Sequence, residues 1–367
     1  MSPDEIDLII KNLKKIRPYT QGESISDIST RTGLSTSKIV KLNANENLFV
    51  PMDFTLKIAK RAAEEVDHRM YPSGLENEVY EKLSDYLKID KNNILIGFGS
   101  DQLIDLLIVL FGKKGVTTIH PTYTYYRARC ELYGVPYRFT LFDKNLNINM
   151  NELKNCLRKS SMFILCSPNN PTGHVISENI IEDIAEEFNG IIVLDEIYAE
   201  FSDTQFHKLP LEMKNVVVIR SFSKAFGAAG IRLGYLVASK KLMEILRKCQ
   251  QPYPVTGFSL KYASLLLDEV DYFKELWKQI KETRKWFYEE LKKFKNIHVF
   301  PSQTNFVSFG SFIDGMKLYE EFAKKGYLIR VFSNVMGFKT LTRVTIAPKN
   351  ILEGFIRDFS ELMKNAI

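Results

Sequence analysis

The sequence predicts an α/β protein with a mostly parallel central sheet, helices on both faces of that sheet, and a smaller α+β C-terminal domain. Two observations lead to this prediction. Short, entirely apolar runs alternate with longer amphipathic segments between residues 93 and 237, as in strands that are buried on both faces and joined by helices. The chain also has 367 residues, which is enough for about two domains at roughly 150 residues each.

The apolar runs are the predicted strands of the central sheet, and the amphipathic segments between them are its predicted helices. The strands are 94–96, 162–165, 191–194, 216–219 and 234–237. The helices are 101–111, 123–133 and 177–188. Ligands of open parallel sheets bind outside the carboxyl ends of the strands, so we expect functional residues directly after these runs.

The pattern changes after Pro254. It predicts a long helical region over 258–294, then strands at 297–299, 305–309 and 344–346, and helices near 315–325 and 349–363. The beginning of the chain does not match the sheet pattern. We therefore predict an N-terminal arm and segment packing on the small domain (1–45), a large domain that contains the central sheet (46–255) and a small C-terminal domain (256–367).

The composition disfavours several classes of protein. The net charge is only +6 and basic residues are interleaved with acidic ones, which disfavours nucleic-acid binding. The four cysteines form no C-x-x-C pair and the five histidines are isolated, so we expect reduced thiols, a cytoplasmic location and no metal site. No apolar run approaches the ~18 residues of a membrane-spanning helix. Anionic small molecules remain open as ligands.

Residues 97–101 follow the first predicted strand and open a helix. Gly99 lets the backbone N–H groups of Ser100 and Asp101 approach an anion, and the start of a helix adds partial positive charge. The pattern is typical of a phosphate site, and a glycine turn capped by Asp101 explains it equally well. After the strand at 162–165, the Ser-Pro-Asn-Asn-Pro-Thr-Gly run either holds Asn170 rigidly at the strand end or forms an elaborate turn.

Asp195 ends the strand at 191–194, and Tyr198 follows three residues later. A carboxylate at the end of a buried strand is costly unless it is paired. Asp195 is therefore expected to bind a cationic ring nitrogen, a metal or a structural arginine. Tyr198 is close enough in sequence to reach the same ligand.

Lys224 follows the strand at 216–219, among small and apolar residues. Such surroundings lower the pKa of a lysine and make its neutral amine available for imine formation with a carbonyl. Ser221, Ser223 and Arg232 are suited to hold a phosphate. The Ser-x-x-Lys spacing also occurs in hydrolases, but neither Ser-Asp-Asn nor Lys-Thr-Gly follows it here.

Together these residues describe one ligand. It has a phosphate, a ring nitrogen that needs a carboxylate, a ring oxygen, and an aldehyde that reacts with an amine. Pyridoxal 5′-phosphate has all four groups, and Tyr123 is placed to stack on its ring. The sequence therefore predicts a pyridoxal phosphate enzyme.

At this level of detail the chain resembles the fold-type-I pyridoxal phosphate aminotransferases, and within them the histidinol-phosphate aminotransferase family. The resemblance spans nearly the whole chain. The motifs that carry it are Leu-Asn-Ala-Asn-Glu-Asn at 42–47, Arg-Met-Tyr-Pro at 69–72, the runs at 167–173, 195–198 and 221–227, Gly-Ile-Arg-Leu-Gly at 230–234 and Gln-Pro-Tyr-Pro-Val at 251–255.

The resemblance implies a role for each of these residues. Lys224 forms an imine with the cofactor and then acts as the general base. Asp195 keeps the pyridine nitrogen protonated, while Asn170 and Tyr198 bind the ring oxygen. Tyr123 stacks on the ring.

Further residues are implied to act around the cofactor. Tyr71 contacts the cofactor phosphate from the neighbouring subunit, so that the active unit is a homodimer. Tyr19 and Asn45 are implied on the substrate side, where the arm folds over the pocket.

Arg330 and Arg343 determine the predicted substrate, because the guanidinium fork binds carboxylates and phosphates bidentately. Two arginines serve a phosphorylated amino alcohol and 2-oxoglutarate or glutamate in turn. A surface or interdomain ion pair is the alternative role of Arg330, and a structural role is the alternative for Arg343. The expected reaction interconverts L-histidinol phosphate plus 2-oxoglutarate with imidazole acetol phosphate plus L-glutamate. The alternatives are an aromatic or broad-specificity aminotransferase and a threonine-phosphate decarboxylase of the same fold.

Overall fold

Three β-sheets organise the computed structural model, which describes Ile6, Asp7, Ile10, Lys14 and residues 22–365. In chain order, the strands of the described residues are β1 Val40–Lys41, β2 Ile94–Gly97, β3 Val116–His120, β4 Tyr137–Leu141, β5 Met162–Cys166, β6 Ile191–Asp195, β7 Val216–Ser221, β8 Gly234–Ala238, β9 Ile297–Val299, β10 Phe306–Ser311, β11 Tyr327–Leu328, β12 Arg330–Val335 and β13 Phe338–Thr345.

The central sheet has seven strands in the order β2-β8-β7-β6-β5-β3-β4. Strand β8 runs antiparallel to β2 and β7, and the remaining neighbours are parallel. The predicted α/β class with a mostly parallel sheet is confirmed. The carboxyl ends of β2, β5, β6 and β7 consequently lie along one edge.

Both faces of this sheet are covered, which explains why its strands are apolar throughout. Successive side chains of a strand point to opposite faces. Phe163 and Leu165 accordingly join one hydrophobic cluster, whereas Ile164 and Cys166 join a second. The two clusters are the cores above and below the sheet.

The α-helices of the described residues cover the sheets. They are α1 Ile25–Thr32, α2 Met52–Glu64, α3 Leu75–Leu87, α4 Gly99–Phe111, α5 Tyr125–Leu132, α6 Met150–Leu157, α7 Glu178–Glu187, α8 Leu209–Glu212, α9 Lys240–Cys249, α10 Gly257–Leu267, α11 Val270–Lys292, α12 Gly315–Lys324 and α13 Lys349–Asn365. None of them combines the length and apolar character that a bilayer crossing requires.

The single helical region predicted over 258–294 is wrong. The structure has two helices there, α10 and α11, with a short interruption between them. The Lys82 ammonium, from α3, binds the Ser264 carbonyl oxygen at 3.2 Å and the Asp268 carboxylate at 2.8 Å. The Ser264 carbonyl oxygen also accepts a hydrogen bond of 3.3 Å from the Asp268 backbone N–H, so the last turn of α10 stays closed. The local sequence has no Gly or Pro at this point to predict the break.

The C-terminal residues form an antiparallel sheet in the order β12-β13-β10-β9. The N-terminal segment packs beside it, because β1 pairs with β11 and Ile28 joins a cluster with Ala323 and Leu328. The domain boundaries at 45 and 255 remain a prediction.

A buried ion cluster lies beside the central sheet. The guanidinium of Arg220 is 2.8 Å from the Glu196 carboxylate and 3.7 Å from that of Glu200, and all three side chains are at most 2% exposed. Arg220 also donates to Gln205 and lies within hydrogen-bond distance of His207. This cluster accounts for the acidic residue that follows Asp195.

Candidate active site

Polar residues from several strand ends line one cavity of about 320 Å³. Its predicted site residues are Asn45, Ser100, Asp101, Tyr123, Asn170, Tyr198, Ser221, Ser223, Lys224, Arg232, Arg330 and Arg343. The cavity thus joins the carboxyl edge of the central sheet to β12 and β13 of the C-terminal sheet. The sequence prediction that these motifs converge agrees with this placement.

Among the described residues, three of the predicted site residues do not line the cavity. Gly99 immediately precedes the lining residue Ser100, and Asp195 ends β6. Tyr71 is 77% exposed and stacks on Tyr253 with ring centroids 4.9 Å apart. Tyr19 lies outside the described residues.

Lys224 presents its amine to the cavity. Its Nζ donates a hydrogen bond of 2.7 Å to the carbonyl oxygen of Ala44. Burial, together with the positive charge of Arg343, lowers the pKa of Lys224 to about 8. About a tenth of the amine is therefore neutral at pH 7, far more than for an ordinary lysine, and the neutral form is what attacks a carbonyl.

Asp195 is 1% exposed at the end of β6. The Tyr126 hydroxyl donates to its Oδ2, and the Ile197 backbone N–H donates to Oδ1 at 3.4 Å. Burial raises the pKa of this carboxyl to about 6. The structural arginine that the sequence left open as a partner belongs instead to Glu196, the next residue in the chain.

The end of the cavity formed by α4 suits a phosphate. Gly99 has φ +73°, and a Cβ there would lie 2.8 Å from the Arg232 guanidinium. Glycine is therefore needed both for the backbone conformation and for the approach of Arg232. The Ser221 and Ser223 hydroxyls lie 3.0 Å apart, and Arg232 contacts the Asp101 carboxylate at 3.1 Å. Backbone N–H groups of a helix start, two hydroxyls and a guanidinium form an anion site.

Arg343 connects the two sheets across the cavity. Its guanidinium donates to Asn170 Oδ1 at 2.5 Å and to the Asn43 carbonyl oxygen at 2.6 Å. Arg343 is 7% exposed, so these bonds hold a buried cation in place. Arg330 lines the same end of the cavity and lies over the Phe332 ring at 5.8 Å.

The sequence reasoning missed Tyr126 and Lys41. Tyr126 follows Tyr123 by three residues, and the two rings meet edge to face with centroids 5.5 Å apart. Lys41 lines the cavity and pairs with Glu46 at 2.5 Å. Lys41 directly precedes the motif at 42–47, of which Asn43 and Asn45 also line the cavity, so its position beside that motif was the available signal.

Comparisons with known proteins agree with this geometry. The family model "Aminotransferase class I and II" matches residues 37–353. A curated histidinol-phosphate aminotransferase of Methanocaldococcus jannaschii is 31% identical over 96% of both chains. A solved histidinol-phosphate aminotransferase of Clostridium acetobutylicum is 26% identical, with a TM-score of 0.80 over 89% of this chain and 100% of that one. One from Sinorhizobium meliloti, solved in complex with pyridoxal-5′-phosphate, shares the fold at 21% identity and a TM-score of 0.84, over 97% of each chain.

Proposed function

The chain belongs to the class I and II aminotransferase family, and on this premise we propose that it interconverts L-histidinol phosphate plus 2-oxoglutarate with imidazole acetol phosphate plus L-glutamate. The proposed cofactor is pyridoxal 5′-phosphate. One observation carries the proposal: Lys224, whose pKa is lowered to about 8, shares a cavity with Arg330 and Arg343.

The residues present fit the cofactor. Asp195 is a buried carboxyl, and the two partners described for it donate hydrogen bonds without neutralising a carboxylate. A cationic ring nitrogen would supply that neutralising charge. At the other end, the Arg232 guanidinium fills the space beside Gly99, and the start of α4 supplies N–H groups for a phosphate.

Bound pyridoxal phosphate supplies an aldehyde carbon and a ring that accepts electrons. Lys224 would hold the cofactor through its neutral Nζ, and the same amine would serve as the general base toward the proton on the substrate Cα. Asp195 would face the ring nitrogen and keep it protonated, and Asn170 and Tyr198 would bind the ring oxygen.

Arg330 and Arg343 bind the anionic end of the substrate. Histidinol phosphate offers a phosphate there, and 2-oxoglutarate a carboxylate. Lys41 adds a further positive charge to the same cavity, and Glu46 balances it while no anion is bound. Two arginines and this lysine in one cavity favour a substrate with a dianionic phosphate over an uncharged aromatic ring.

We also propose a homodimer in which Tyr71 reaches the cofactor phosphate of the partner subunit. Tyr71 and Tyr253 stack on each other, are 77% and 51% exposed, and lie outside this chain's own cavity. A hybrid of Y71A and K224A subunits tests this, because one of its two sites would combine an intact Tyr71 with an intact Lys224. Activity regained on mixing the two inactive or weakened variants supports the shared site, and additive residual activities contradict it.

The predicted division into 1–45, 46–255 and 256–367 is part of the proposal. Its support is that Asn43, Lys224 and Arg330, one from each part, line the same cavity. A cytoplasmic location remains a prediction.

The test of the reaction is a single-turnover panel on the cofactor-loaded protein. Histidinol phosphate, phenylalanine, tyrosine and threonine phosphate are each mixed with it, and loss of the visible absorption band is timed. We expect histidinol phosphate to react fastest. We also expect R330A to slow the reaction of histidinol phosphate more than it slows the reaction of phenylalanine. A faster reaction with phenylalanine or tyrosine would identify an aromatic aminotransferase, and release of carbon dioxide from threonine phosphate would identify a decarboxylase.

A further inference from the structure

Asn45 holds the hydroxyl of Tyr198. Its Nδ2 donates a hydrogen bond of 2.8 Å to the Tyr198 oxygen, and each residue is 1% exposed. Both residues line the cavity. The sequence predicted a substrate-binding role for Asn45, but its amide nitrogen is already engaged by a residue of the proposed cofactor site.

The backbone of Asn45 is fixed from the C-terminal side of the molecule. Its N–H donates to Thr345 Oγ1 at 3.1 Å, and its carbonyl oxygen accepts from Asn305 Nδ2 at 2.8 Å. The residue has φ +57°, a left-handed conformation that asparagine and glycine adopt more easily than other residues. Asn45 therefore links the end of β13 and the start of β10 to Tyr198.

A tyrosine hydroxyl carries one proton and accepts through its oxygen. Because Asn45 supplies the proton of the hydrogen bond between them, the proton of Tyr198 is left to point elsewhere. Tyr198 lines the cavity, so the cavity offers its hydroxyl a direction in which to donate. The donor direction at Tyr198 is thus set by the residue behind it.

We propose that Asn45 is a positioning residue, which orients the Tyr198 hydroxyl so that its proton is donated into the cavity, to the ring oxygen of the cofactor. The inference rests on the proposed function. It also means that the C-terminal sheet, which carries Arg330 and Arg343, reaches the cofactor ring through Asn45. Asn45 would then add a connection from that sheet to the ring, beside the direct bond from Arg343 to Asn170.

The test is a pH titration of the visible absorption band of the cofactor-loaded protein. The titrating proton is the one shared by the ring oxygen and the Lys224 nitrogen. A hydrogen bond from Tyr198 stabilises the negative charge that the ring oxygen keeps once this proton has left, so it lowers the pKa of the proton. N45G removes the amide donor, adds no charge, and tolerates the left-handed backbone. We expect it to raise the titration midpoint by about one pH unit.

The matched variants isolate the route through Tyr198. N45D replaces the donor by a group that only accepts, so the Tyr198 proton turns towards it and the midpoint rises further. We expect Y198F by itself to raise the midpoint. If Asn45 acts through Tyr198, adding N45G to Y198F should produce no additional shift. N43A removes another amide of the cavity, and we expect it to leave the midpoint unchanged.

Four results would overturn the inference. They are an unchanged midpoint in N45G, an equal N45G shift with and without Y198F, a rise in substrate KM in N45G with no change of the band, and N45D behaving as wild type. The last two outcomes correspond to substrate binding and to a merely structural role. A wild-type protein that forms no visible band with the cofactor would overturn the proposed function as well, so the two failures are distinguishable.

Discussion

Asp195 should destabilise the protein at neutral pH whenever the cofactor is absent. Burial raises the pKa of this carboxyl from 3.8 to about 6, so the folded state holds the proton more tightly than the unfolded state. The stability that this proton gives is present below pH ~4 and is lost as the pH rises through about 6. Two pKa units correspond to ~3 kcal/mol at neutral pH.

The substitution D195N removes this titration and keeps a group that accepts a hydrogen bond from Tyr126. An entropy of unfolding of ~2 cal/mol/K per residue gives roughly 0.8 kcal/mol/K for this chain, so ~3 kcal/mol corresponds to a Tm change of ~4 °C. We expect the Tm of cofactor-free D195N, relative to wild type, to rise by about this amount between pH 4 and pH 7.5.

The assay is thermal unfolding of the two cofactor-free proteins across that pH range. D203N is the control of opposite sign, because hydrogen bonding to Lys281 lowers the pKa of Asp203. Its Tm relative to wild type should fall, or stay level, as the pH rises. A D195N difference that does not change with pH would refute the reasoning.

Two further predictions concern other charged groups. Removing Arg220 leaves Glu196 buried without its ion-pair partner, so R220M should cost ~3–5 kcal/mol, or roughly 4–6 °C in Tm. K154M breaks the exposed ion pair of Lys154 with Glu187 and should cost less than ~1 kcal/mol. Equal Tm losses in the two variants would contradict this. K41Q should weaken competitive inhibition by inorganic phosphate about fivefold, and E46Q should strengthen that inhibition. If the inhibition constants of both variants move in the same direction, Lys41 does not face the anion.

The central sheet was predictable because its signal is local. Five of its seven strands are uninterrupted apolar runs, and both faces of each are covered. Strands β3 and β4 were not predicted, since Val116–His120 contains two threonines and Tyr137–Leu141 lies at the edge with alternating, partly exposed residues. The break between α10 and α11 has no Gly or Pro beside it, so no local pattern reports it.

The same distinction applies to the site. Lys224, Asp195 and Asn170 follow predicted strands, so topology alone places them at one edge. Contacts made across the molecule could not be derived in this way. The bond between Arg343 and Asn170, and that between Asn45 and Tyr198, join residues more than 150 positions apart, and only the packing of the two sheets brings them together.

The most direct test of the central claim is the identity of the residue that binds the cofactor. Protein loaded with pyridoxal phosphate is reduced with borohydride, digested and analysed by mass spectrometry. The adduct is expected on the peptide that contains Lys224, with no adduct and no visible band in K224A. An adduct on another lysine, or one that persists in K224A, would contradict the assignment of Lys224 as the catalytic amine.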